Sequence, residues 1–172
     1  MHTNHLSRSV KAVLAIAIAV ASLGVFAPPA SAAGVSAAAV RQVRGTQVLD
    51  DTTTAPECDS SLATFVMSGS LDGCWLTLTF DFTFTPSGVM KSSGTERFIG
   101  CLNGTVCGTF DTTFIFMAKF DLTTGFEIRG RCQHPIVTGS GFEGFDGVTG
   151  RLDFKDVVAD GSYVYRGHLT LP

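Results

Sequence analysis

The sequence predicts an all-β chain of roughly seven or eight short antiparallel strands, arranged as a sandwich or a closed barrel. Three observations predict it. Apolar residues recur with a period of two over most of residues 61–172, as in half-buried strands. Glycine-bearing turn signals break these runs at roughly 10-residue spacing, the rhythm of a sandwich or closed barrel. The connections are short, which makes chain neighbours antiparallel neighbours.

In chain order, Met1–Ala12 is polar and carries Arg8 and Lys11, and Val13–Ala27 is apolar and uncharged. Ala30-Ser31-Ala32 then gives the small-x-small pattern of a signal peptidase site, so residues 1–32 read as a cleaved secretory signal. The apolar run is shorter than the roughly 20 residues of a membrane span, and no later run is long enough. The expected product is therefore secreted and free of the membrane after cleavage. Residues 33–60 are Ala-rich and then polar, and read as a flexible lead-in. Within it, residues 40–49 are compatible with one short strand or helix.

From residue 61 onward, Leu76, Leu78, Phe80, Phe82 and Phe84 alternate with Thr77, Thr79, Asp81, Thr83 and Thr85. Phe110, Thr112, Phe114, Phe116, Ala118 and Phe120 form a second face. Phe126 and Ile128, Leu152 and Phe154, and Tyr163, Tyr165, Leu169 and Leu171 set three more. Turns are expected at Asp72-Gly73, Pro86-Ser87-Gly88, Asn103-Gly104, Thr124-Gly125, the Gly139–Gly150 cluster and Asp160-Gly161, where residues tolerate positive φ or preset a turn.

Successive strand residues point to opposite faces. With the Phe-rich face inside, Phe98 brings Glu96 inward, and Leu152 and Phe154 bring Asp156 inward. Tyr163 and Tyr165 face in. Cys132 and His134 follow Phe126 and Ile128. A carboxylate on an apolar face must be paired, hydrated or protonated. Glu96 and Asp156 are thus the leading ligand-binding candidates, with Tyr163, Tyr165 and His134 beside them. Each has a structural alternative: a rim carboxylate, a core tyrosine, or a histidine ending a strand at Pro135.

Five cysteines in an exported chain imply disulfides and leave at least one thiol over. Cys101 and Cys107 are symmetric about Gly104. A three-residue hairpin loop, Asn103-Gly104-Thr105, sets them opposite each other on the outer face, close enough to bond. Cys74 and Cys132 fall on the inner parity. They could pair with each other, or either could pair with Cys58. Paired CxxC spacings are missing, so no metal site is expected. Asn103-Gly104-Thr105 also matches an N-glycosylation sequon, although the turn alone explains it.

Without residues 1–32 the chain keeps 10 Lys/Arg and 15 Asp/Glu, a formal charge of −5 with signs interspersed. No basic patch is visible, so nucleic acid is an unexpected partner. No catalytic or cofactor motif is present, and no cofactor is expected. The glycine segment lacks the lysine-hydroxyl ending of a phosphate loop, and strand rather than helix follows it. Phe145 within it can plug the core.

That segment, Gly139-Ser140-Gly141-Phe142-Glu143-Gly144-Phe145-Asp146-Gly147-Val148-Thr149-Gly150, with Arg151–Asp156 after it, resembles the turn and strand of the allene oxide cyclase-like and dirigent-like barrel superfamily. Tyr165–Leu171 and Gly130–Ile136 are similar to strands of its bacterial secreted members. The resemblance implies an eight-stranded antiparallel barrel with a central cavity over residues 61–172. Its plant members act on hydrophobic small molecules, a fatty-acid epoxide or phenoxy radicals. Their catalytic residues do not map onto this chain. Three functions follow: a barrel binding a small apolar molecule, a filled-core structural or surface-interaction protein, or a cyclase/isomerase using Glu96 or Asp156 as acid or base. A homo-oligomer is compatible with all three.

Overall fold

The computed structural model describes residues 38–50, 58 and 62–172. The signal segment 1–32 and most of the lead-in lie outside the described residues. Nine strands follow one another: β1 (Ala39–Leu49), β2 (Ala63–Gly69), β3 (Leu71–Phe84), β4 (Val89–Leu102), β5 (Val106–Phe120), β6 (Glu127–Pro135), β7 (Phe142–Glu143), β8 (Thr149–Val157) and β9 (Ser162–Leu171). All pairings are antiparallel. β1 to β6, β8 and β9 each pair with the next, and β9 returns to β1, closing a barrel of eight strands. Closure removes both sheet edges, which would otherwise present unpaired backbone groups. The two-residue β7 lies outside this ring against β5.

The barrel begins earlier than the sequence suggests. Residues 39–49 are not lead-in but a full strand, paired with β2 on one side and β9 on the other. Its inward positions include Val43, Gly45 and Gln47. Only one of these is apolar, which hides the alternation. Gly45 is required there, because a Cβ would collide with the Ser68 carbonyl and the Tyr165 hydroxyl.

Two β-bulges reverse parities that the sequence presents as unbroken. On β3, Thr77 pairs with Glu96 and Thr79 with Thr95, so Leu78 is an extra residue. A bulge sets two residues against one and flips the faces beyond it. Trp75 and Thr77 therefore face in below it, and Phe80 faces in above it. Leu76 points outward instead of sharing the Phe80 face. On β6 the same shift makes Ile128 the extra residue. Phe126 and Ile128 are consequently exposed, against expectation, while Gly130, Cys132 and His134 are buried. The turn expected at Asp72-Gly73 lies instead at Gly69-Ser70, and both Asp72 and Gly73 belong to β3.

The closed end of the barrel is filled. Phe145 is fully buried, with ring centroids 5.1 Å from Phe110 and 5.8 Å from Phe98. Trp75 packs edge-on against Phe110 at 6.1 Å. Such pairs add about 0.5–1.5 kcal/mol beyond their buried area. Asn103 and Gly104 both adopt positive φ, 50° and 68°, as a tight Asn-Gly hairpin demands.

Cys101 pairs in register with Cys107 and bonds to it, with Cα atoms 4.0 Å apart. The second disulfide joins Cys58 to Cys74 at a Cα separation of 5.6 Å. Cys74 and Cys132 are therefore not partners. Cys74 faces outward below the β3 bulge, while Cys132 is a buried free thiol inside the barrel. Two disulfides fit an oxidising compartment.

Candidate functional site

The half of the barrel away from Phe145 holds an open-mouthed cavity of about 300 Å³. Phe65, Phe80, Phe114, Phe116 and Phe154 form its walls, with Gln47, Ala63, Ser92, Cys132 and Tyr163 among them. Glu96, His134 and Thr77 form a polar patch in the lining. The volume is at the lower end of the roughly 300–1,000 Å³ typical of small-molecule sites.

Glu96 is buried, at 7% exposure, and its carboxylate is fully engaged. Trp75 Nε1 donates to Oε2 at 2.6 Å, and His134 Nε2 lies 2.7 Å from the same oxygen. Thr77 Oγ1 donates to Oε1 at 3.3 Å. A buried carboxylate needs this set of donors to offset lost hydration. The His134 ring stands edge-on to Trp75 at 5.4 Å and to Phe154 at 4.5 Å, which fixes its orientation. His134 Nδ1 and Thr112 Oγ1 are buried without hydrogen-bond partners among the described residues. Strand parity finds Glu96; the phase expected for His134 rests on Phe126 and Ile128, which face outward, and the β6 bulge at Ile128 is what brings that ring inside. Parity misses Trp75 and Thr77, which the β3 bulge turns inward.

Asp156 also faces in and is 9% exposed. Its neighbour is Glu127, which an unbroken alternation would place outside and which the β6 bulge turns inward. Gly130 makes the space for them, since a Cβ there would overlap Asp156 Oδ2 and Glu127 Oε1. Burial, then the hydrogen bond and negative charge of Glu127, push the Asp156 carboxyl up to about 8. Asp156 pairs in register with Tyr163. Burial, and then the charge of Asp156, raise the Tyr163 phenol to about 12. Cys132 sits between the two acidic sites. Burial and the charges of Glu96 and Asp156 hold its thiol well above the usual range, so it is protonated and a poor nucleophile.

Tyr165 is not brought to the cavity. Its hydroxyl accepts from the Leu71 amide at 2.8 Å and lies 3.3 Å from the Ser68 and Leu71 carbonyls, bracing the β2–β3 turn. Among the described residues no cluster of three His, Cys, Asp or Glu could hold a metal ion.

The outer wall departs from the even charge distribution expected from sequence. An open groove of about 960 Å³ across β5, β6, β8 and β9 gathers Lys119, Arg129, Arg131, Lys155 and Arg166, with Asp153 as the acidic residue in its lining. Arg131 and Lys155 are directly opposite in register. Parity aligns on one face the cations that the sequence disperses.

No protein-family model matches the chain. No curated protein matches it either.

Proposed function

We propose that this protein is an exported carrier that holds one small, largely apolar molecule inside its barrel. The observation that carries the reading is the half-filled interior: aromatic packing closes one end, and a cavity of about 300 Å³ with aromatic walls occupies the other. A barrel of eight strands has room for its own side chains or for one small ligand, and here the two share it. The signal-like segment at 1–32 and the two disulfides support export. The similarity of the glycine segment to the allene oxide cyclase-like and dirigent-like barrels supports the same ligand class.

A saturable titration with an apolar, environment-sensitive dye tests this. Trp75 is the only tryptophan and lies against Glu96 in the cavity lining, so its emission should respond to occupancy. Ala63 lines the cavity and is only partly buried, so Ala63→Phe should fill the space and abolish binding. Dye binding that survives this change would place the site elsewhere. Export predicts that the N-terminus of the extracellular protein is Ala33, and a start at Met1 would contradict it.

One observation favours a second reading, an acid–base isomerase or cyclase. Glu96 orients the His134 ring and leaves Nδ1 unpartnered, as a general base requires. Turnover of a hydrophobic substrate that is lost in His134→Gln, with binding retained, would support it.

A further inference from the structure

The interior of the open half is rich in hydrogen-bond acceptors and poor in cations. Glu96 has its donors. Glu127 and Asp156 have only each other: beyond the hydrogen bond they share, Glu127 Oε1 and Asp156 Oδ1 are both buried with no hydrogen-bond partner among the described residues. Such orphan acceptors cost a protein stability unless something supplies a donor. The nearby Arg129, Arg131 and Lys155 are turned to the outer wall by strand parity and cannot supply one. The titratable groups that do face Asp156 are Glu127 and Cys132 from β6, Tyr163 from β9 and, farther off, Glu96 from β4. All four are acids.

The pair adjoins the cavity. Tyr163 is the register partner of Asp156, and Cys132 follows Gly130 on the same face of β6; both line the cavity wall. A metal ion is a poor occupant, because no group of three His, Cys, Asp or Glu among the described residues is placed to hold one. An ammonium group needs less. It brings three donors and one positive charge on a single atom. Its hydrocarbon attachment matches the aromatic walls, whose ring faces attract cations.

We propose that the molecule carried is an apolar amine, its ammonium group bound by Glu127 and Asp156 and its hydrocarbon held among Phe65, Phe116 and Phe154. In the empty barrel Asp156 keeps a proton near neutral pH. The ammonium group takes over the role of that proton, so binding releases it to the buffer and leaves two carboxylates facing one cation. This inference rests on the carrier reading and adds the chemical class of the ligand.

Matched probes separate the two ideas. Phenethylamine, phenethyl alcohol and phenylacetate share a ring and chain length and differ in the head group. Calorimetry near neutral pH, in two buffers of different ionisation enthalpy, should show the amine binding at least about tenfold tighter than the alcohol, the acid weakest, and proton release for the amine alone. Asp156→Asn, and independently Glu127→Gln, should bring the amine down to the affinity of the alcohol and leave the alcohol unchanged. Alcohol binding as tight as the amine, or equal losses for both in the variants, overturns the amine inference and leaves the carrier standing. Failure of all three to bind overturns both.

Discussion

Replacing Glu96 with alanine removes one acceptor and strands two buried N–H groups. Trp75 Nε1 and His134 Nε2 both rest on Glu96 Oε2, at 2.6 and 2.7 Å. A buried donor left unpaired costs about 1–3 kcal/mol, so two cost about 2–6 kcal/mol. The Thr77 hydroxyl, at 3.3 Å, can rotate and adds little. Glu96→Gln is the informative control. Its amide oxygen can occupy the place of Oε2 and keep both donors paired, though as a neutral acceptor of about half the strength. Its cost should stay near 1–2 kcal/mol. Urea denaturation followed by Trp75 emission measures both. Domains of this kind have about 5–15 kcal/mol in hand, so the alanine variant should still fold at low temperature. An alanine variant within about 0.5 kcal/mol of the parent, less than the cost of a single unpaired donor, would refute this reasoning. So would a glutamine variant as unstable as the alanine one.

The Asp156 carboxyl titrates near 8 when folded and near 3.9 when unfolded. The folded state therefore binds the extra proton between those values, and stability should fall as pH rises from about 4 to about 8. Urea midpoints across that window should show the decline in the parent and a flatter profile in Asp156→Asn; parallel profiles would contradict it. The Cys101–Cys107 bond closes a loop with a sequence separation of 6, so replacing both residues with serine should cost about 2 kcal/mol in denaturant. Peptide mapping without reductant should find neither cysteine as a free thiol. Lys155→Glu converts a like-charge pair with Arg131 into an opposite-charge one and should stabilise the barrel by about 0.2–1 kcal/mol at low salt, fading as salt is added.

Strand alternation made the inner wall legible wherever a strand runs without a bulge. Phe98 locates Glu96 on β4, and Phe154 locates Asp156 on β8. The symmetric cysteines about Gly104 identify their own bond. Bulges concealed the rest. Leu78 on β3 looks like one more member of an apolar face, yet as an extra residue it turns Trp75 and Thr77 inward and Cys74 outward. Ile128 on β6 does the same for Glu127. Neither position carries a glycine or proline to mark it. β1 was obscured for another reason: Gly45 and Gln47 are chosen by the space under Tyr165 and by the cavity, so its inner face is not apolar. The cationic wall arises from the pairing of β5, β6, β8 and β9, which linear spacing does not encode.

Native mass spectrometry of the protein, isolated under non-denaturing conditions from the medium of the cells that make it, tests the carrier most directly. A carrier should appear at the mass of the mature chain with two disulfides plus one small molecule. That excess should vanish in Ala63→Phe, and tandem fragmentation should release a nitrogen-containing apolar compound. A protein that flies only at its bare mass, and stays there after incubation with an extract of its own medium, would contradict the claim that the cavity exists to hold a ligand.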